Sequence, residues 1–170
     1  MNDIVVNDTN IFIDFCKLHL LNELFALPFE IHTVDFVIEE LVDENQRKEV
    51  VSFLESGKLT VHSFQQEEIT NVINLKSTAG GNLSFTDCAA WYYAKENNYI
   101  LVTGDGKLRR KAIASNVAVK GILFLFDKFV EEEVLTLTKA VNKLEELLNI
   151  NARLPRNEIE MRINLWRKHL

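Results

Sequence analysis

Cysteine is scarce in this chain, and its two residues, Cys16 and Cys88, show no CxxC spacing. A disulfide framework and a paired-thiol redox centre are therefore excluded. Both thiols are read as small core residues in a reduced, cytoplasmic setting. Proline occurs twice, at Pro28 and Pro155, each time where a helical stretch has to stop. The four histidines, His19, His32, His62 and His169, lack zinc-like spacing, so no zinc site is expected. No apolar run approaches the roughly 18 residues needed to cross a bilayer, and no membrane partner is expected. The opening Met1-Asn2-Asp3 lacks the basic start of a secretory signal.

What is present fits one globular unit. The 170 residues are 47% apolar and 26% charged, enough to bury a sizeable core. The formal net charge is −6 and the isoelectric point is about 5.3. That balance argues against charge-driven binding of nucleic acid by the chain as a whole. Locally the sign reverses, because Lys107, Arg109, Arg110 and Lys111 crowd behind Asp105.

Short β-branched runs predict strands at Ile4–Val6, Ile31–Val34, Lys58–Phe64, Ile100–Val102 and Val117–Val119. Helical periodicity predicts Ile11–Phe25, Asp35 to about Val42, Gln46–Ser56 and Gln65–Leu75. It also predicts Ser84 to about Asn97 and Lys107–Ser115. Ser77–Asn82 reads as a loop, and the chain after Gly121 reads as wholly helical. Strands separated by helices give an α/β fold with a mainly parallel sheet. In such sheets chemistry collects outside the carboxyl ends of the strands.

Four acids stand at the ends of apolar runs: Asp8, Glu40, Asp87 and Asp105. Each has an ordinary structural explanation. Asp8 is a good helix cap, and Asp87 completes a Ser-x-x-acid capping pattern with Ser84. Asp105 suits a Gly-Asp-Gly turn, and Glu40 (or its neighbour Glu39) suits a solvated helix face. Their order carries more than any one of them. Carboxylates delivered to one edge repel each other, and a hard cation such as Mg²⁺ or Mn²⁺ is the usual reason for such a grouping.

The contexts of these acids resemble the motifs of the PIN domain family, of VapC-like metal-dependent ribonucleases. Val5-Val6-Asn7-Asp8-Thr9-Asn10 and its apolar helix resemble the opening motif. Phe36-Val37-Ile38-Glu39-Glu40-Leu41 resembles the second, more loosely. Leu83-Ser84-Phe85-Thr86-Asp87 resembles the third, and Leu101-Val102-Thr103-Gly104-Asp105 the fourth. The resemblance covers about residues 3–126. It implies a three-layer α/β/α sandwich with a central parallel sheet of about five strands in residues 1–126. Residues 127–170 then form a C-terminal helical extension packed on the same domain.

The resemblance further implies that Asp8, Glu40, Asp87 and Asp105 hold Mg²⁺ or Mn²⁺, with Asn10 and Thr103 supporting. Asp14, further along the first helix, lies outside that set. The implied function is a metal-dependent endoribonuclease, with an antitoxin protein and a second copy of the chain as expected partners. Lys107, Arg109, Arg110 and Lys111 are candidate contacts to RNA phosphates, or a solvated helix face. Trp91, Tyr92 and Tyr93 are read as core packing. A PIN-fold binding module without catalysis stays open. A phosphotransfer protein is disfavoured, because Asp8-Thr9-Asn10 lacks the second acid of an Asp-x-Asp phosphatase motif.

Overall fold

A computed structural model of the chain describes residues Asp3–Leu170. In order these form β1 (Asp3–Asn7), α1 (Thr9–Leu18), α2 (Leu21–Leu24), β2 (Phe29–Val34), α3 (Asp35–Glu40), α4 (Glu44–Glu55), β3 (Leu59–His62) and α5 (Gln66–Ala79). There follow α6 (Phe85–Asn97), β4 (Ile100–Val102), α7 (Gly106–Ala114), β5 (Val119–Lys120), α8 (Ile122–Glu131), α9 (Leu137–Ile150) and α10 (Arg156–Arg167). The five strands make one sheet in the order β3-β2-β1-β4-β5, and every pairing is parallel. The chain first winds outward from β1 to β3, then crosses to β4 on the other side of β1. Around the sheet, α1 packs against α2, α3 and α4, and α6 packs against α5, α7 and α3. The winding reverses between β1 and β4, so a crevice opens at their carboxyl ends.

A parallel sheet covered on both faces favours continuous apolar runs over alternation. Val5 and Val6 in β1 and Leu101 and Val102 in β4 are accordingly fully buried. The C-terminal helices extend the same core. Phe15 of α1 meets Phe126 and Phe129 of α8, and the three ring centroids stand 5.6–6.2 Å apart. Val141, Leu144 and Leu147 of α9 and Ile159, Ile163 and Trp166 of α10 are buried in that core as well. Arg162 of α10 grips Asp127 of α8 through two hydrogen bonds of 2.8 Å.

Three local expectations are corrected. The helix expected over Ile11–Phe25 breaks at His19, which takes a left-handed backbone (φ 54°). Leu18, Leu20, Leu21 and Leu24 are all buried, and they do not share one stripe of a straight helix; the break lets both halves bury theirs. The loop expected over Ser77–Asn82 starts later, because α5 runs to Ala79. Ser77 and Thr78 donate their hydroxyls to the Ile73 and Asn74 carbonyls, so they stay within the helix. The last strand is Val119–Lys120. Val117 donates its amide to the Ala112 carbonyl (3.0 Å), closing α7 instead of joining the sheet.

Candidate functional site

The site lies where β1 and β4 end side by side. The amide of Asp8 donates to the Val102 carbonyl (3.1 Å), fixing the end of β1 against β4. Asp8 then caps α1, its Oδ1 accepting from the Ile11 amide (3.2 Å). Its Oδ2 accepts a short hydrogen bond from the Thr103 hydroxyl. Thr103 Oγ1 in turn accepts from the Asp105 amide (3.0 Å). Asp105 caps α7, its Oδ1 accepting from the amides of Lys107 and Leu108 at 2.8 Å each. One side chain, Thr103, thus couples the ends of two strands and the acids that follow them.

Glu40 joins through the residue after Asp8: the Thr9 hydroxyl donates to Glu40 Oε2 (3.2 Å). Of the two adjacent glutamates, Glu40 is the one tied to the Asp8 segment. Asp87 sits in a reciprocal capping box, with the Ser84 amide donating to its Oδ2 and its own amide donating to Ser84 Oγ, both 2.9 Å. Its charge also reaches Asp8. Burial pushes the Asp8 carboxyl up to about 7, against hydrogen bonds from Thr103 and Ile11 that favour the charged form, and the negative charge of Asp87 pushes it further in the same direction. Asn7, beside Asp8, is fully buried, and among the described residues neither its side-chain nitrogen nor its oxygen has a hydrogen-bond partner.

The donor set suits a hard cation in kind, since Asp8, Glu40, Asp87 and Asp105 all offer carboxylate oxygens. A positive charge would relieve the strain that burial and Asp87 impose on Asp8. In spacing the acids stand open. Among the described residues, no three acid, histidine or cysteine side chains are arranged to hold a metal ion.

The basic residues divide. Lys107, Arg110 and Lys111 line a cavity of about 320 Å³ with the loop of Gly80, Gly81 and Asn82. Arg109 lies instead in a separate cavity with Lys120, Asp127 and Arg162. Trp91 and Tyr93 are buried, and Trp91 donates its indole N–H to Ser115 Oγ (2.9 Å). Tyr92 is half-buried and accepts from Asn71 (3.2 Å). Both thiols are buried, and burial pushes Cys16 up to about 12 and Cys88 up to about 11, leaving neither as a nucleophile at neutral pH.

A second group of residues lines the crevice beside Asp105, and of these only Asn10 belongs to the set expected from sequence. Asn10, Asp14 and Lys17 of α1 share a cavity of about 320 Å³ with Asp105 and with Asn151 and Arg153 of the α9–α10 linker. One local signal pointed to it. Asn10, Asp14 and Lys17 follow helical spacing on an otherwise apolar helix, and Asp14 is only 6% exposed.

Among the described residues, no helix is long and apolar enough to cross a membrane. The sequence model of the PIN domain family matches residues 4–168. No curated protein matches the chain. Among solved structures, VapBC2 from Rickettsia felis, bound to a DNA fragment from their promoter, is similar. It is 18% identical, with a TM-score of 0.51, over 69% of this chain and 98% of that one. PAE2754 from Pyrobaculum aerophilum is 15% identical, with a TM-score of 0.51, over 74% of this chain and 95% of that one. At such identities the likeness is one of fold.

Proposed function

The chain belongs to the PIN domain family, and from that premise we propose that it is a divalent-metal-dependent endoribonuclease acting at the edge that carries Asp8 and Asp105. The observation that carries this reading is the Asp8–Thr103–Asp105 chain at the point where the sheet reverses its winding. Asp8, Asp87 and Asp105 are the residues that would hold Mg²⁺ or Mn²⁺, with Glu40 beside them. When bound, the ion supplies a water of lowered pKa and positive charge facing the phosphate.

The protein's own groups do the rest. Thr103 fixes the Asp8 carboxylate by donating to one oxygen, and the Ile11 amide fixes the other. Glu40 is exposed and held by Thr9, a position from which it takes a proton from the attacking water. Lys107, Arg110 and Lys111 bind backbone phosphates along the groove beside α7. Arg109, on the other side of that helix, meets a more distant part of the strand.

VapBC2 from Rickettsia felis, which shares the fold, binds a DNA fragment from its promoter. That likeness supports, for this chain, the role of the toxin in a toxin–antitoxin pair. One observation favours a second reading, a PIN-fold module that binds RNA or protein without cleaving: the acids are not closed into a cation cage among the described residues.

The test is cleavage of a fluorescent single-stranded RNA in Mn²⁺, with Asp8→Asn alongside. The nuclease reading expects cleavage that Asp8→Asn lowers at least about 100-fold. It also expects a Mn²⁺-induced rise in Tm that Asp8→Asn diminishes. No cleavage, together with a Tm indifferent to Mn²⁺, would leave the binding module.

A further inference from the structure

The cavity beside Asp105 is closed by a segment far away in sequence, the linker between α9 and α10. That linker is fastened by both ends of one amide. Asn151 Nδ2 donates to Asp14 Oδ2 (2.9 Å), and Asn151 Oδ1 accepts from the Arg153 amide (3.1 Å). The arrangement fixes the backbone of Arg153 over the crevice. It also requires a buried carboxylate on a helix that otherwise faces the core, a costly group to keep without a purpose.

The cavity wall is mixed: the carboxylates of Asp14 and Asp105 stand on it together with cationic and apolar residues. Arg153 and Lys17 are exposed cations there, and neither forms a salt bridge among the described residues. Ile13, Ile150 and Leu154 give the cavity an apolar side. Exposed cations take phosphate, Arg153 without a carboxylate in salt-bridge reach among the described residues and Lys17 while its charge also favours the ionised Asp14, and an apolar wall accepts the face of a base. A volume of about 320 Å³ is at the small end for ligand pockets. A pocket of that size suits a single small unit such as one unstacked nucleotide.

We infer that this cavity is the subsite for the nucleotide flanking the scissile phosphodiester of a single-stranded RNA, with Arg153 and Lys17 contacting its phosphate and Asn151 positioning Arg153. The inference rests on the nuclease reading of the same edge, and it deepens that reading. It gives the C-terminal helices a part in substrate selection besides their part in the core.

The experiment measures binding of a labelled single-stranded oligoribonucleotide by fluorescence anisotropy in Mn²⁺, in an Asp8→Asn background that keeps the RNA intact. Adding Arg153→Gln is expected to weaken binding about tenfold and to lower the slope of log K against log salt by about 0.7. Arg153→Lys restores most of both, and a duplex of the same sequence binds more weakly and is indifferent to Arg153→Gln. With Asp8 intact, Arg153→Gln raises KM for cleavage and leaves kcat in place. Unchanged affinity and slope in a variant of unchanged Tm would overturn the subsite, as would an equal loss on the duplex. The two readings fail separately. Weakened binding by Arg153→Gln in a chain that cleaves nothing overturns the nuclease and, with it, the place of the cavity beside a scissile bond, leaving only a single-stranded RNA contact at Arg153. Cleavage that proceeds while Arg153→Gln changes neither affinity nor KM overturns the subsite alone.

Discussion

Two parts of the interior are built on opposite rules. Between α1 and α8, Phe15, Phe126 and Phe129 fill the space with fully buried rings. At the carboxyl ends of β1 and β4, the buried groups are Asn7, Asp8, Thr9 and Thr103, and Thr33 of β2 donates to the Asn7 carbonyl nearby (2.8 Å). There Asn7 has no partner for its side-chain amide among the described residues, and Asp8 has its carboxyl pushed up to about 7. The aromatic seam stabilises the fold and the polar edge weakens it. A fold keeps such an edge where geometry has to be held ready for chemistry, and a well-packed seam elsewhere offsets the loss.

Breaking the seam gives the largest effect on stability. Phe126→Ala removes a fully buried ring and is expected to cost about 3–5 kcal/mol, read from urea unfolding. A cost below about 1 kcal/mol would show that the seam does not carry the fold.

Relieving the edge sharpens the contrast from the other side. An aspartate in the unfolded chain titrates near 3.8, and Asp8 in the fold titrates near 7. Between those values the folded chain keeps a proton that the unfolded chain has released. Its stability therefore falls as pH rises from about 4 to about 7 and is level above that. Asp8→Asn stays neutral and keeps an acceptor for the Ile11 amide. Its stability advantage should be near zero at about pH 4 and grow to as much as roughly 4 kcal/mol by about pH 8. An advantage equal at both ends of that range would refute the assignment of the strain to the Asp8 charge.

The smallest change tests the neighbour. Asn7→Val replaces two unsatisfied buried polar atoms with a side chain favoured in strands, and a gain of about 1 kcal/mol is expected at any pH. A loss of stability in the same urea titration would mean that Asn7 finds a partner in solution.

Much of this architecture was legible in short stretches. Strands such as Val5–Val6 and Leu101–Val102 declare themselves because both faces are buried. Asp8, Asp87 and Asp105 declare themselves because each also takes part in capping a helix, a local event with a local signature. The break at His19 was hidden, because nothing in a leucine-rich run shows that its residues must face two directions. The division of Arg109 from Lys107, Arg110 and Lys111 was hidden in another way. One residue of helix rotation separates two cavities that belong to different neighbours. Asn151 and Arg153 had no local signal at all, since their meaning lies in what they touch across the chain.

The contact between Asn151 and Asp14 spans 137 positions of sequence. Closures of that span come late, because the entropy lost in making them is recovered only once the intervening elements are in place. In a chain made from its amino end, all five strands and the four acids have emerged by Lys120, while the wall bearing Arg153 follows only after α9. A chain still on the ribosome thus carries the acidic edge before it carries the groove's far wall, and the cleft gains its second side only when synthesis has passed the strands by some thirty residues, roughly the distance from β5 to the α9–α10 linker.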